Sequence, residues 1–83
     1  MIFMKLENDL KNETEKWLKR IKEKKYILKD NSKERLVKNM EAYIKDSEIY
    51  LKENKLIMSF EAVVWAWSIY ELLLELDIME ELE

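Results

Sequence analysis

The chain has 83 residues, room for one domain over positions 1–83, with 48% hydrophobic residues, 40% charged residues and a net charge of −3. It contains no Cys and no His, which excludes a disulfide framework, the usual zinc, haem and non-haem iron sites, and His- or Cys-based nucleophilic catalysis. It also contains no Gly and no Pro, so the strongest helix breakers are missing, and the fold class expected is all-α.

The first helix is predicted from about residue 3 to residue 28. Phe3, Leu6, Leu10, Trp17, Ile21 and Leu28, with Thr14 in the gap, follow steps of three and four and share one face. Lys29-Asp30-Asn31-Ser32 is the first turn-like cluster, and Asn31 followed by Glu34 suits a capping box. The second helix is predicted over 33–53, on the repeat of Leu36, Val37, Met40, Tyr43, Ile44, Ser47, Tyr50 and Leu51. Asn54 suits a left-handed closing residue in place of Gly, which makes the next connection tight and its neighbour antiparallel.

The third helix is predicted over 56–82 and is far more apolar. Glu61, Ser68, Glu71 and Glu75 fall on one narrow stripe, and Ala62, Ala66, Ile69 and Leu73 lie at the centre of the apolar arc. Small residues there let a neighbouring backbone come close. Three such segments with short connections predict an up-down-up three-helix bundle, with helices 1 and 3 parallel. Dimerisation through helix 3 is a further expectation, since its arc spans more than two partner helices need.

Met1-Ile2-Phe3-Met4-Lys5-Leu6-Glu7 lacks the apolar segment of a signal peptide. No uncharged run reaches the roughly 18 residues of a membrane span, and the longest is Ala62 to Tyr70. A cytoplasmic protein with no membrane association is expected. The sequon Asn12-Glu13-Thr14 is discounted on the same ground.

Charge is divided unevenly. All 15 Lys and Arg residues lie in Met1–Lys55, against 11 acids, while the last 28 residues carry seven acids and no base. Lys16, Lys19, Arg20, Lys22, Lys24, Lys25 and Lys29 form a basic stretch interrupted only by Glu23 among acids. Such a patch could bind nucleic acid or another polyanion. The alternative is structural. With helices 1 and 3 parallel, this stretch lies beside the acidic end of the chain, where it would relieve Glu80, Glu81 and Glu83 near a helix carboxyl end.

Carboxylates at helical spacing, Glu61, Glu71 and Glu75 with Asp46 from helix 2, could in principle hold a hard divalent cation. The Glu-x-x-Glu and Glu-x-x-Asp pair of all-α pyrophosphohydrolases is incomplete, because no Glu-x-x-Asp exists. A di-iron bundle needs Glu-x-x-His, and there is no His. A solvated polar stripe is the simpler reading, so no enzyme activity and no cofactor are expected.

Trp65 and Trp67, two apart, point to nearly opposite sides of helix 3 and cannot fill one pocket. Whichever lies at the uncovered rim, with Val64, Leu72 or Ile78, would form an exposed apolar patch of the kind that binds partners. That makes a protein partner or a second copy the expected ligand, ahead of nucleic acid.

The hairpin carries one family resemblance. Tyr43, Asp46 and the run Tyr50-Leu51-Lys52-Glu53-Asn54-Lys55, then Ser59-Phe60-Glu61-Ala62 and Trp65-Ala66-Trp67, resemble the archaeal family named Domain of Unknown Function 357. Asn54 replaces its usual turn Gly, Ser59 its first Ala, and Ser68 a frequent Gly. The resemblance covers about half of the chain; it implies a three-helix bundle in an archaeal cytosol and no activity.

Overall fold

The computed structural model describes residues 2–82, with side chains from residue 5 onward. The side chain of Phe3 and all of Glu83 therefore lie outside the described residues. In chain order the elements are α1 (Ile2–Lys22), β1 (Lys25–Leu28), a short 3-10 turn (Asn31–Lys33), α2 (Glu34–Lys52), α3 (Leu56–Glu75) and β2 (Met79–Leu82). The three helices build the expected mostly α fold, and α1 runs parallel to α3, with Leu6 beside Ile57 at one end and Lys24 beside Glu81 at the other.

Two predicted helices end early. Helix 1 stops at Lys22 instead of Leu28, and helix 3 at Glu75 instead of Leu82. The residues beyond each end form an antiparallel two-stranded clip, in which Lys25 faces Leu82 and Leu28 faces Met79. Along β1 the half-buried Tyr26 and Leu28 alternate with exposed Lys25 and Ile27, the period-two pattern of a strand with one covered face.

Asp77 makes the break in α3. Its backbone is left-handed at φ 59°; its amide donates to the Leu74 carbonyl at 3.1 Å, and the Ile78 amide donates to Leu73 at 3.0 Å. This is a Schellman closure made with Asp in place of Gly. Asn54, at φ 60°, closes α2 in the same way, with Lys55 donating to the Tyr50 carbonyl at 2.8 Å. Here the predicted left-handed Asn is found. The predicted capping box is not: Asp30, one residue earlier, accepts from the Ser32 amide and caps the 3-10 turn, while Lys33 precedes α2 without a side-chain cap.

The core gathers Leu18 and Ile21 of α1, Met40 of α2, Val63, Ala66, Tyr70 and Leu73 of α3, and Met79 of β2. Where α2 meets α3, two fully buried serines bond each other's backbone. Ser47 Oγ donates to the Ser59 carbonyl at 2.7 Å, and Ser59 Oγ donates to the Ser47 carbonyl at 2.6 Å. Each hydroxyl thus satisfies itself on the opposite backbone, as buried polar groups must. Thr14, in the gap of the α1 stripe, is buried with its hydroxyl on the Leu10 carbonyl.

Candidate functional site

The α2–α3 pair forms a layer with two faces. One face is covered by α1. There Trp67 donates its indole N–H to the Trp17 carbonyl at 3.0 Å and packs edge-on against Trp17 and Tyr70. Trp65 lies about 160° around α3 from Trp67, so it belongs to the opposite face. It is 59% exposed and stacks on Tyr43 of α2, with centroids 6.2 Å apart and planes at 21°.

That contact and the serine pair fix the register of the antiparallel helices. It sets Leu36 beside Leu72 and the half-buried Tyr50 beside Met58. Seven-residue spacing keeps each row on one face. Two adjoining rows result: Leu36, Tyr43 and Tyr50 on α2, and Met58, Trp65 and Leu72 on α3. Leu36, Tyr43, Met58, Trp65 and Leu72 are all exposed, and Leu76 extends the α3 row. Two aromatic rings held against each other amid aliphatic side chains make an apolar surface with little rotamer freedom to lose on binding.

The rim residues expected from the sequence divide across the molecule. Val64, Trp65 and Leu72 are exposed on α3. Trp67 and Ile78 are half-buried and pack against the core, so they are not part of the open face. Leu36 and Tyr43, the α2 half of the face, belong to the apolar repeat that the sequence assigns to the packed side of helix 2, yet both are exposed, because the neighbouring helices cover only its other edge. The available signal was that α2 carries two seven-residue rows, Leu36-Tyr43-Tyr50 and Val37-Ile44-Leu51, where one neighbouring helix covers only one.

The basic stretch is largely engaged with the chain's own acids. Lys16 pairs with Glu13 at 3.1 Å, Lys22 with Glu48 at 3.0 Å, Lys24 with Glu81 at 3.2 Å and Lys29 with Asp77 at 2.6 Å. Arg20 places its guanidinium 5.1 Å from the Trp17 ring, while Lys19 and Lys25 are exposed on α1 and β1. The pairing of basic and acidic ends foreseen from the charge asymmetry is therefore present, but the clip makes it and not two helix ends. The carboxylates Glu61, Glu71, Glu75 and Asp46 are all exposed. Among the described residues, no three Asp or Glu side chains converge as a metal ion would require.

Glu81 fastens the clip. Tyr70 donates its hydroxyl to the Glu81 carboxylate, and Lys24 pairs with the same oxygen. The Tyr70 hydrogen bond, followed by that from Lys24, holds this carboxyl below its ordinary value of 4.5. Burial, reinforced by Glu81, pushes the Tyr70 hydroxyl up. A carboxyl with a depressed folded pKa contributes its stabilisation above the unfolded value and loses it as pH falls through the folded one. The amides of Met79–Leu82 should accordingly lose exchange protection as pH drops below 4.5, before those of α3 do. Glu81→Gln should remove that acid step. If protection along β2 holds until α3 itself opens, Glu81 is not the clasp.

By length and composition α3 is apolar enough to cross a membrane, with a mean hydropathy of 1.4 over an 18-residue window, a third of it buried inside the fold. Its packing against α1 and α2 accounts for the buried part.

The fold and its open face define a small helical-bundle domain with an apolar surface exposed along α2 and α3. No family model and no curated protein matches the chain. Among solved structures it is similar to the crystal structure of AF1782 from Archaeoglobus fulgidus, described as family DUF357. The two share 40% identity over 93% of this chain and 99% of that one, with a TM-score of 0.83. The chain belongs to the archaeal DUF357 family, a domain of unknown function.

Proposed function

We propose that this chain is a non-catalytic helical interaction module that docks a protein surface through the α2–α3 face centred on Trp65. One observation carries the reading. A tryptophan 59% exposed and stacked on Tyr43 lies within two continuous apolar rows, whereas exposed apolar residues on a surface without a partner are usually scattered singly. Trp and Tyr held in place by packing are the side chains that contribute most to protein interfaces.

Other ligands fit this face less well. Lipid-binding amphipathic helices flank their apolar side with Lys and Arg, but the edges of this face are mainly acidic, with Glu61, Glu71 and Glu75 on α3 and Asp46 beside Arg35 on α2. Nucleic acid would be sought by Lys16–Lys29, where four of the seven cations already have carboxylate partners.

The test is affinity capture of the tagged chain from lysate of its source organism, with and without nuclease, alongside Trp65→Glu and a Lys19→Glu/Lys25→Glu variant. A stoichiometric protein, another species or untagged copies of this chain, should survive nuclease and the lysine changes and be lost with Trp65→Glu. A captured set that disappears with nuclease and depends on Lys19 and Lys25 would replace this reading with polyanion binding.

A further inference from the structure

We infer that the occupant of the α2–α3 face is a second copy of this chain, packed as an antiparallel four-helix core with the two α1 helices outermost. The inference rests on the reading of this face as a docking surface and adds the partner and its geometry.

Area is the first argument. Leu36, Tyr43, Met58, Trp65, Leu72 and Leu76 together expose on the order of 600 Å², which approaches the ~800 Å² per partner of a standard stable interface before the flanking residues are added. An 83-residue chain gains more from such burial than a larger one, because a small fold leaves a larger fraction of its surface exposed.

Charge selects the arrangement. A two-fold axis across the helices would lay α3 on α3. Because α3 carries three glutamates and no base, that stacking sets acid against acid. A two-fold axis along the helices instead lays α2 of one copy over α3 of the other, antiparallel, and keeps each residue at its own height. The register of Tyr43 on Trp65 then brings Arg35, on the outer edge of α2, level with Glu71 and Glu75 on the outer edge of α3 in the second copy. The same geometry sets Ala42 level with the gap between Val64 and Ser68 on that edge, and Asn39 within one residue of Ser68. Every neighbouring helix pair in the core is antiparallel, so the helix dipoles oppose one another.

One pair opposes this arrangement: Asp46 falls level with Glu61 of the second copy, carboxylate near carboxylate. The geometry therefore demands that Asp46→Asn strengthen the dimer, an effect that a generic sticky face would not produce.

The experiment is sedimentation equilibrium of the full chain from micromolar to millimolar concentration, with far-UV circular dichroism to confirm that each variant is folded. The wild type should pass from the 10.2 kDa monomer to a dimer with rising concentration. Trp65→Glu, and independently Leu72→Lys, should remain monomeric; both sites are exposed, so the fold tolerates them. Arg35→Glu should weaken dimerisation about tenfold, since symmetry repeats each rim contact twice. Adding Glu71→Arg and Glu75→Arg to Arg35→Glu should restore the wild-type constant within a few fold.

A wild type that sediments as a monomer throughout overturns the inference. So does a dimer indifferent to both Trp65→Glu and Leu72→Lys. A dimer that breaks with Trp65→Glu but shows no rescue in the triple variant overturns the antiparallel geometry. If the chain is monomeric yet captures another protein through Trp65, only the second copy is wrong; if capture also ignores Trp65, the docking reading falls with it.

Discussion

Leu73→Ala should cost about 2–5 kcal/mol of folding stability, whereas Leu72→Ala, one residue away, should change it by less than ~0.5 kcal/mol in dilute solution. The two leucines have the same chemistry and lie on the same helix, but Leu73 is 1% exposed and Leu72 is 52% exposed. Leu73 sits where α1, α2 and β2 all meet α3, among Ile21, Met40, Tyr70 and Met79. Truncation there forfeits the transfer energy of the lost carbons and leaves a cavity that three elements cannot jointly collapse into. A domain of this length has only ~4–12 kcal/mol to lose. Urea unfolding at low protein concentration measures both variants, the midpoint moving at constant slope. Dilution matters because dimerisation would add a concentration-dependent term to the apparent stability. A Leu73→Ala midpoint equal to that of Leu72→Ala would refute the placement of the core.

Ser59→Leu should have the second largest effect, about 2–4 kcal/mol, where Ser59→Ala should cost only ~1 kcal/mol. Ser59 and Ser47 are fully buried, and each hydroxyl reaches the other helix's carbonyl within 2.7 Å. Alanine removes one hydrogen bond and leaves the spacing intact. Leucine must instead separate the helices, straining the Tyr43–Trp65 stack that shares their register. Amide exchange along α2 and α3 distinguishes the cases. Ser59→Ala should leave the protection pattern unchanged, and Ser59→Leu should weaken it from Met40 to Ala66. Equal losses for the two variants would mean the serines are not the close contact.

Much of this fold is legible in the residues because the interactions behind it are local. Asn54 could be read as a helix stop because Asn tolerates left-handed backbone better than other non-Gly residues. The opposition of Trp65 and Trp67 follows from their separation by two positions. Asp77 performs the same stop for α3, but Ile69, Leu73, Leu76 and Met79 step past it at intervals of four, three and three, which continues the helical pattern. The clip eluded prediction for a different reason. Two four-residue strands separated by fifty residues stabilise each other by pairing, and neither carries a strong signal alone. The open face was half legible. The excess width of the α3 arc is visible from its own residues, but Leu36 and Tyr43 become a surface only once the register of α2 on α3 is known.

The three tryptophans also equip the molecule with two independent optical reporters. Trp17 and Trp67 meet edge to face with centroids 5.5 Å apart, close enough for their transitions to couple and give a paired band in the circular dichroism that exists only while α1 is docked. Trp65, stacked on Tyr43 but with more than half its surface in water, stays open to a soluble quencher until something covers the face. Emission shielded from quencher at unchanged coupling therefore reports occupancy of the face, while loss of coupling reports detachment of α1, and the unlabelled chain distinguishes the two events.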